Sequence, residues 1–182
     1  MSKKGNSRFR EVDGLLQWTG VETPMGRVFL AWTPDGLYRS TLPGGRDEDF
    51  RAEIAGSDES PGAGGPYRRW IERYFAGRNP GEIPALAPRG TAFSRRVRSV
   101  VAAIPPGQTR SYGEVAREAG SPGAARAVGT VMAQNPFPLF VPCQRVVRSG
   151  GDLGEFGGGR EMKTDLLEWD RHLRYFEVSG ES

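Results

Sequence analysis

The segment RNPGEIPALAPRG, residues 78–90, places Pro80, Pro84 and Pro88 four positions apart. A proline in every turn is incompatible with a helix, because each removes a backbone donor and its ring clashes with the preceding turn. The segment reads as an extended linker. It divides the 182-residue chain into an N-terminal part, residues 1–88, and a C-terminal part, residues 89–182, each able to contribute a core.

On the N-terminal side, residues 15–42 carry short β-type runs punctuated by TPMG and TPDG. Turn signals at that spacing predict a small antiparallel sheet. SDESPGAGGP, residues 57–66, is a polar loop, and YRRWIERYFAG then predicts a helix that buries Trp70, Ile71, Tyr74 and Phe75 and stops at Gly77. On the C-terminal side, Phe93, Val97, Val100, Val101 and Ile104 recur at helical spacing up to Pro105 and Pro106. SYGEVAREAG opens with a capping-box pair, Ser111 and Glu114. After an SPG turn, AARAVGTVMAQN predicts a second short helix ending near Asn135. The two form a helix-turn-helix, with Arg126 near the start of the second helix, where recognition helices meet the duplex. Glycine-rich loops around Leu153–Phe156 precede a closing helix built on Met162, Leu166, Leu167 and Leu173. The expected class is α+β: a small antiparallel-sheet N-terminal domain and a mostly helical C-terminal domain.

Charge is unevenly placed. Residues 1–88 hold twelve basic and twelve acidic side chains, residues 89–148 hold nine arginines against Glu114 and Glu118, and residues 149–182 hold four basic and eight acidic ones. A basic block confined to one segment is the footprint of a polyanion-binding face, although a solvated arginine-rich surface gives the same count. No apolar run approaches a membrane span, and the basic start MSKKGNSRFREVDG lacks a secretory apolar stretch. The cytoplasm is expected, where a thiol stays reduced. With Cys143 alone there is no internal disulfide and no cysteine-based zinc site. Cys143 is either a buried inert thiol or a nucleophile.

GQTRSYGEVAREAGSPGAARAVGTVMAQNP, then VPCQRVV and GEFGGG, resemble the alkylguanine-DNA alkyltransferase family, also called methylated-DNA–protein-cysteine methyltransferases. The resemblance is dense from about Phe93 to Asp170 and thinner through TPMGRVFLA. It implies a monomer, with no cofactor and no metal at the site, that binds the minor groove of double-stranded DNA and flips a 6-O-alkylguanine into a pocket. The alkyl group passes once and irreversibly to Cys143. Carried over by position, Arg126 fills the vacated stack, Tyr112 crowds the phosphate and bonds the flipped base, and Asn135 is the hinge of the active-site turn. Ala124, Ala125 and Ser149 contact DNA, while Val146, Phe156 and Gly157 wall the pocket.

The family's Pro-Cys-His-Arg turn is Pro142-Cys143-Gln144-Arg145 here, and its Cys–His–Glu triad becomes Cys143, Gln144 and Asp170. The nucleophile is the thiolate, and a neutral amide cannot take the thiol proton as an imidazole can. Gln144 can hold a water or orient the thiol, and nearby arginines or a helix N-terminus can favour the thiolate. Lost general-base help of ~10²–10⁴-fold predicts slow transfer. Phe156 stands where the family has a tyrosine. His172, the sole histidine, is a weak substitute base and reads as an exposed helix-end residue. The alternative is a lesion sensor that binds alkylated guanine without transfer and signals to other repair proteins. A small-molecule cysteine enzyme is a third reading, opposed by Tyr112, Arg126 and the basic segment.

Overall fold

A computed structural model of the chain describes residues 16–45 and 47–179; the basic start lies outside them. Strands β1 (Gln17–Val21), β2 (Val28–Thr33) and β3 (Gly36–Ser40) form the antiparallel sheet expected from the turn signals, in the order β1-β2-β3. Leu30 pairs with Thr19 on one side and Ser40 on the other. A helix unforeseen in the sequence, α1 (Asp47–Glu53), brings Phe50 onto one face of the sheet, where it packs with Phe29 and Trp18.

Helix α2 (Gly65–Phe75) buries Trp70, Ile71, Tyr74 and Phe75 along one stripe, as its periodicity predicts, and Tyr67 with them. The proline-rich segment then runs extended along the edge of β3: Leu37 N–H donates to Ala85 O and Ala87 N–H to Leu37 O, each at 2.9 Å. Gly36 permits this approach, with φ 130° and no room for a Cβ, which would stand 2.7 Å from Ala85 O. The linker is thus docked by backbone hydrogen bonds.

The C-terminal part contains α3 (Ala92–Ala102), β4 (Arg110–Ser111), α4 (Tyr112–Glu118), α5 (Ala125–Ala133), β5 (Val146–Val147) and α6 (Gly159–Ser179). Thr91 caps α3 by accepting from Ser94 N–H at 3.1 Å. The capping box of α4 is complete: Ser111 Oγ accepts from Glu114 N–H, and Glu114 accepts from Ser111 N–H at 2.6 Å. Such caps satisfy helix-start donors that otherwise lack partners. The apolar core is continuous across the linker, with Trp70 and Tyr67 of α2 against Phe140, at ring separations of 4.7 and 6.3 Å. No helix among the described residues is long and apolar enough to cross a membrane.

Candidate active site

Strand β4 lies parallel to β5, with Arg110 opposite Val146 and Ser111 opposite Val147. This short pairing fixes the N-terminus of α4 against the residues that follow Cys143. The result is a pocket of about 980 Å³ whose lining includes Cys143, Tyr112, Arg126 and Gly129 on one side and Ser149, Phe156 and Gly157 on the other. Ala125 also lines it. Gly129 packs beside the Tyr112 ring, 3.9 Å from where a Cβ would stand, an ordinary contact distance.

Cys143–Arg145 is one 3₁₀ turn, and its approach is tied down from Asn135. Asn135 Nδ2 donates to Val141 O at 2.9 Å and its Oδ1 accepts from Phe137 N–H at 3.1 Å. Within that strap Leu139 has φ 75°, the only left-handed non-glycine backbone among the described residues. Such a conformation costs about 1–3 kcal/mol and persists only where its surroundings impose it.

While Cys143 faces the pocket, its two neighbours face inward. Arg145 grips buried Asp170 bidentately, Nε to Oδ2 at 2.8 Å and Nη2 to Oδ1 at 2.7 Å, and its Nη1 donates to Ile104 O at 2.7 Å. Tyr74 of α2 donates its hydroxyl to Asp170 Oδ1 at 2.9 Å, and Gln144 Nε2 approaches Oδ2 at 3.4 Å. Burial and the adjoining carboxylate hold the Tyr74 hydroxyl protonated, its pKa well above the ordinary tyrosine value. Gln144 is fully buried, and its Oε1 is left without a hydrogen-bond partner. The amide therefore presents a donor to Asp170 and an acceptor elsewhere. It has the hydrogen-bonding polarity of a neutral imidazole without a proton-accepting nitrogen.

Two influences oppose each other at the thiol. Burial raises the Cys143 pKa above its ordinary value; the Asn135 side chain, the Lys163 ammonium and the backbone N–H groups of Cys143 and Gln144 pull it down, and burial prevails. The Cys143 N–H is itself donated to Val141 O at 2.8 Å. The expected help from nearby arginines does not materialise at Arg145, whose guanidinium is spent on Asp170. The cationic neighbour is Lys163, a residue absent from the sequence-based site. Its side chain is fully buried, with Nζ donating to Val146 O at 2.7 Å and to Leu153 O, and lying 5.7 Å from the Phe156 ring centroid. Burial lowers its pKa, and proximity to Cys143 offsets part of that shift. The only signal for it in the sequence is a lysine one residue after Met162 on the apolar side of the closing helix.

Tyr112, Ala125, Arg126, Cys143, Ser149, Phe156 and Gly157 converge on one pocket, as the resemblance implies. Asn135, Gln144 and Asp170 lie behind it. Val146, expected on the pocket wall, is instead fully buried outside the lining and contributes its carbonyl to Lys163. Ala124 takes the N-cap position of α5 and is not part of the lining. Asp170, expected as a partner for residue 144, is chiefly the counter-ion of Arg145. His172 is exposed on α6, with Nδ1 2.9 Å from Glu168 O, one turn earlier.

Residues 92–172 match the family model of the 6-O-methylguanine DNA methyltransferase DNA-binding domain. The methylated-DNA–protein-cysteine methyltransferase of Mycobacterium bovis is 44% identical over 157 residues, spanning 86% of this chain and 93% of that protein. The constitutive enzyme of that name from Bacillus subtilis is 32% identical over 157 residues, spanning 85% and 94%. Among solved structures, Mycobacterium tuberculosis OGT in complex with DNA superposes with a TM-score of 0.75 at 34% identity, covering 86% of this chain and 94% of that one. Over nearly its whole described length, this chain belongs to the methylated-DNA–protein-cysteine methyltransferase family.

Proposed function

We propose that the chain repairs DNA by flipping a 6-O-alkylguanine out of the duplex and moving its alkyl group, once, onto Cys143. The observation that carries this reading is the pocket itself, where the lone thiol shares one cavity with Tyr112 and Arg126 of the helix-turn-helix. A reacting atom enclosed by a base stack becomes reachable by extrusion, and Arg126 is placed to fill the gap in the stack. Phe156 supplies an apolar face for the flipped base.

In the transfer step the Cys143 thiolate attacks the alkyl carbon, forming an S–C bond as the C–O6 bond breaks. The bonding pair leaves on the guanine oxygen. Lys163, Asn135 and the backbone N–H groups of the turn stabilise the thiolate. Gln144 and Asp170 act as positioning residues; the thiol proton departs to solvent in a prior ionisation. Without a base at residue 144, transfer is slow. Residues 89–182 hold the DNA-reading and acceptor machinery, and residues 1–88 buttress it through Tyr74. The setting is the cytoplasm, at the chromosome, with the protein acting as a monomer.

Intact-protein mass spectrometry after incubation with a duplex carrying one 6-O-methylguanine tests this reading. The expected result is a mass gain of one methyl in place of a proton, absent in Cys143→Ala. Tight binding with an unmodified Cys143 after long incubation would instead leave a lesion sensor.

A further inference from the structure

The basic segment that marks this chain is only partly absorbed by the thiol pocket. Arg126 and Arg148 line that pocket, Arg145 is bound to Asp170, and Arg110 pairs with Glu118 at 3.5 Å. Arg89, Arg95 and Arg98 gather instead at the start of α3, and among the described residues none of them has a carboxylate partner. Arg98 is the unusual one: it is only 8% exposed. Its hydrogen bond goes to Arg89 O, and its guanidinium lies 5.7 Å from the Phe137 ring centroid. An arginine with so little of its surface exposed is ordinarily paired, because desolvation is repaid by an opposite charge. Here its neighbours are like charges. Burial, then Arg89 and Arg95, push its pKa below the ordinary arginine value.

Beside Arg98 is a second cavity of about 620 Å³, on the other side of the C-terminal end of α5 from the thiol. Arg39, Arg89 and Arg98 line it, together with Thr91 and Ser94 at the N-terminus of α3. Its one carboxylate, Glu53, is committed to Arg39 through Oε1. Arg39 Nε and Glu53 Oε2 remain buried without partners. The cavity thus sets three guanidinium groups, Arg89 among them with one bond to Tyr38 O at 2.8 Å, against the single carboxylate of Glu53. It offers one orphaned donor and one orphaned carboxylate oxygen beside a helix start whose dipole favours negative charge.

We propose that this cavity is a phosphate-binding site, in which Arg98 and Arg89 hold a phosphate oxyanion separately from the alkyl-transfer pocket. The group is either a phosphodiester of nucleic acid running past α3 or a free phosphate species. The site does not depend on Cys143 reactivity, so it can stand or fall independently of the transfer reaction.

Two measurements on the full chain decide this. The first is thermal unfolding with increasing inorganic phosphate against matched chloride. Wild type should gain roughly 3–6 °C once phosphate exceeds its Kd about tenfold, and Arg98→Gln should lose that gain while Arg98→Lys keeps part of it. Because Arg98 is buried, Arg89→Gln serves as a second variant that must also lose the gain. The second is the salt dependence of binding to an unmodified duplex. A log–log slope shallower by about 0.9 in Arg89→Gln assigns the phosphate to a nucleic-acid backbone. A lost thermal gain with an unchanged slope assigns it to a free phosphate. Equal phosphate responses in wild type and both glutamine variants, with equal slopes, overturn the proposal.

Discussion

The two sides of the Cys143–Arg145 turn are built on opposite plans. On the inner side, Asp170 receives Arg145, Tyr74 and Gln144 in a buried network, and the only unmatched atom there is Gln144 Oε1. On the outer side, the side chains of Tyr112, Arg126 and Arg148 face the pocket with no hydrogen-bond or ion-pair partner among the described residues. The inner side fixes a geometry; the outer side keeps its polar groups free for a ligand. A site that binds an extended polyanion and reacts at one atom requires both conditions, because unpaired donors attract phosphate and a rigid backing holds the sulfur on line.

Removing the central inner carboxylate should have the largest effect. Asp170→Ala leaves Arg145 charged and buried without its partner, and stability should fall by about 3–5 kcal/mol, read from chemical denaturation. Survival of normal stability would mean the inner side is not the rigid one. Supplying a base comes next. Gln144→His should speed transfer at neutral pH by up to about 10²-fold in single-turnover mass spectrometry; an unchanged rate would locate the limit in flipping.

The pH profile sharpens the same contrast. Only the thiolate attacks, and burial raises the Cys143 pKa, so below that pKa each pH unit should increase the wild-type rate about tenfold. The climb should continue above ~8.5, where an ordinary free thiol has already half ionised. A plateau near neutrality would show that the bound duplex reverses the burial effect. Tyr74→Phe removes one hydroxyl donor from Asp170 and should cost about 1.5–3 kcal/mol of stability, with the shape of the pH profile retained. His172→Gln, on the exposed face of α6, should stay within about 0.5 kcal/mol of wild type with the same transfer rate. A slower His172→Gln would return that imidazole to the mechanism.

Local chemistry made much of this legible in advance. Helices α2, α3, α4 and α5 announce themselves by apolar spacing and by caps such as Ser111 with Glu114, which need only near neighbours in sequence. The pocket residues Tyr112, Arg126, Cys143 and Phe156 are legible from the family resemblance of their motifs. What escaped depends on distant parts of the chain. Tyr74 meets Asp170 across 96 positions, and two-residue β4 has no strand pattern until β5 lies beside it. Lys163 resembles a surface lysine until Val146 O and Leu153 O close over its ammonium. Gln144 pointed either way in the sequence; only the Asp170 carboxylate tells which end of the amide faces it. Val146 lies in the core, and what it offers Lys163 is its carbonyl, a backbone contact that its side chain does not announce.

The β4–β5 pairing joins residues 110–111 directly to residues 146–147, so the jaw carrying Tyr112 and the jaw carrying the sulfur are tied by one short ladder and act as a caliper. The facing wall hangs instead on a loop in which Gly150, Gly151 and Gly154 all have positive φ. A guest of any size is therefore measured at the same gape from reading helix to sulfur. Room for a bulkier adduct lies on the glycine side, at Phe156 and Gly157, away from the distance that the rungs set.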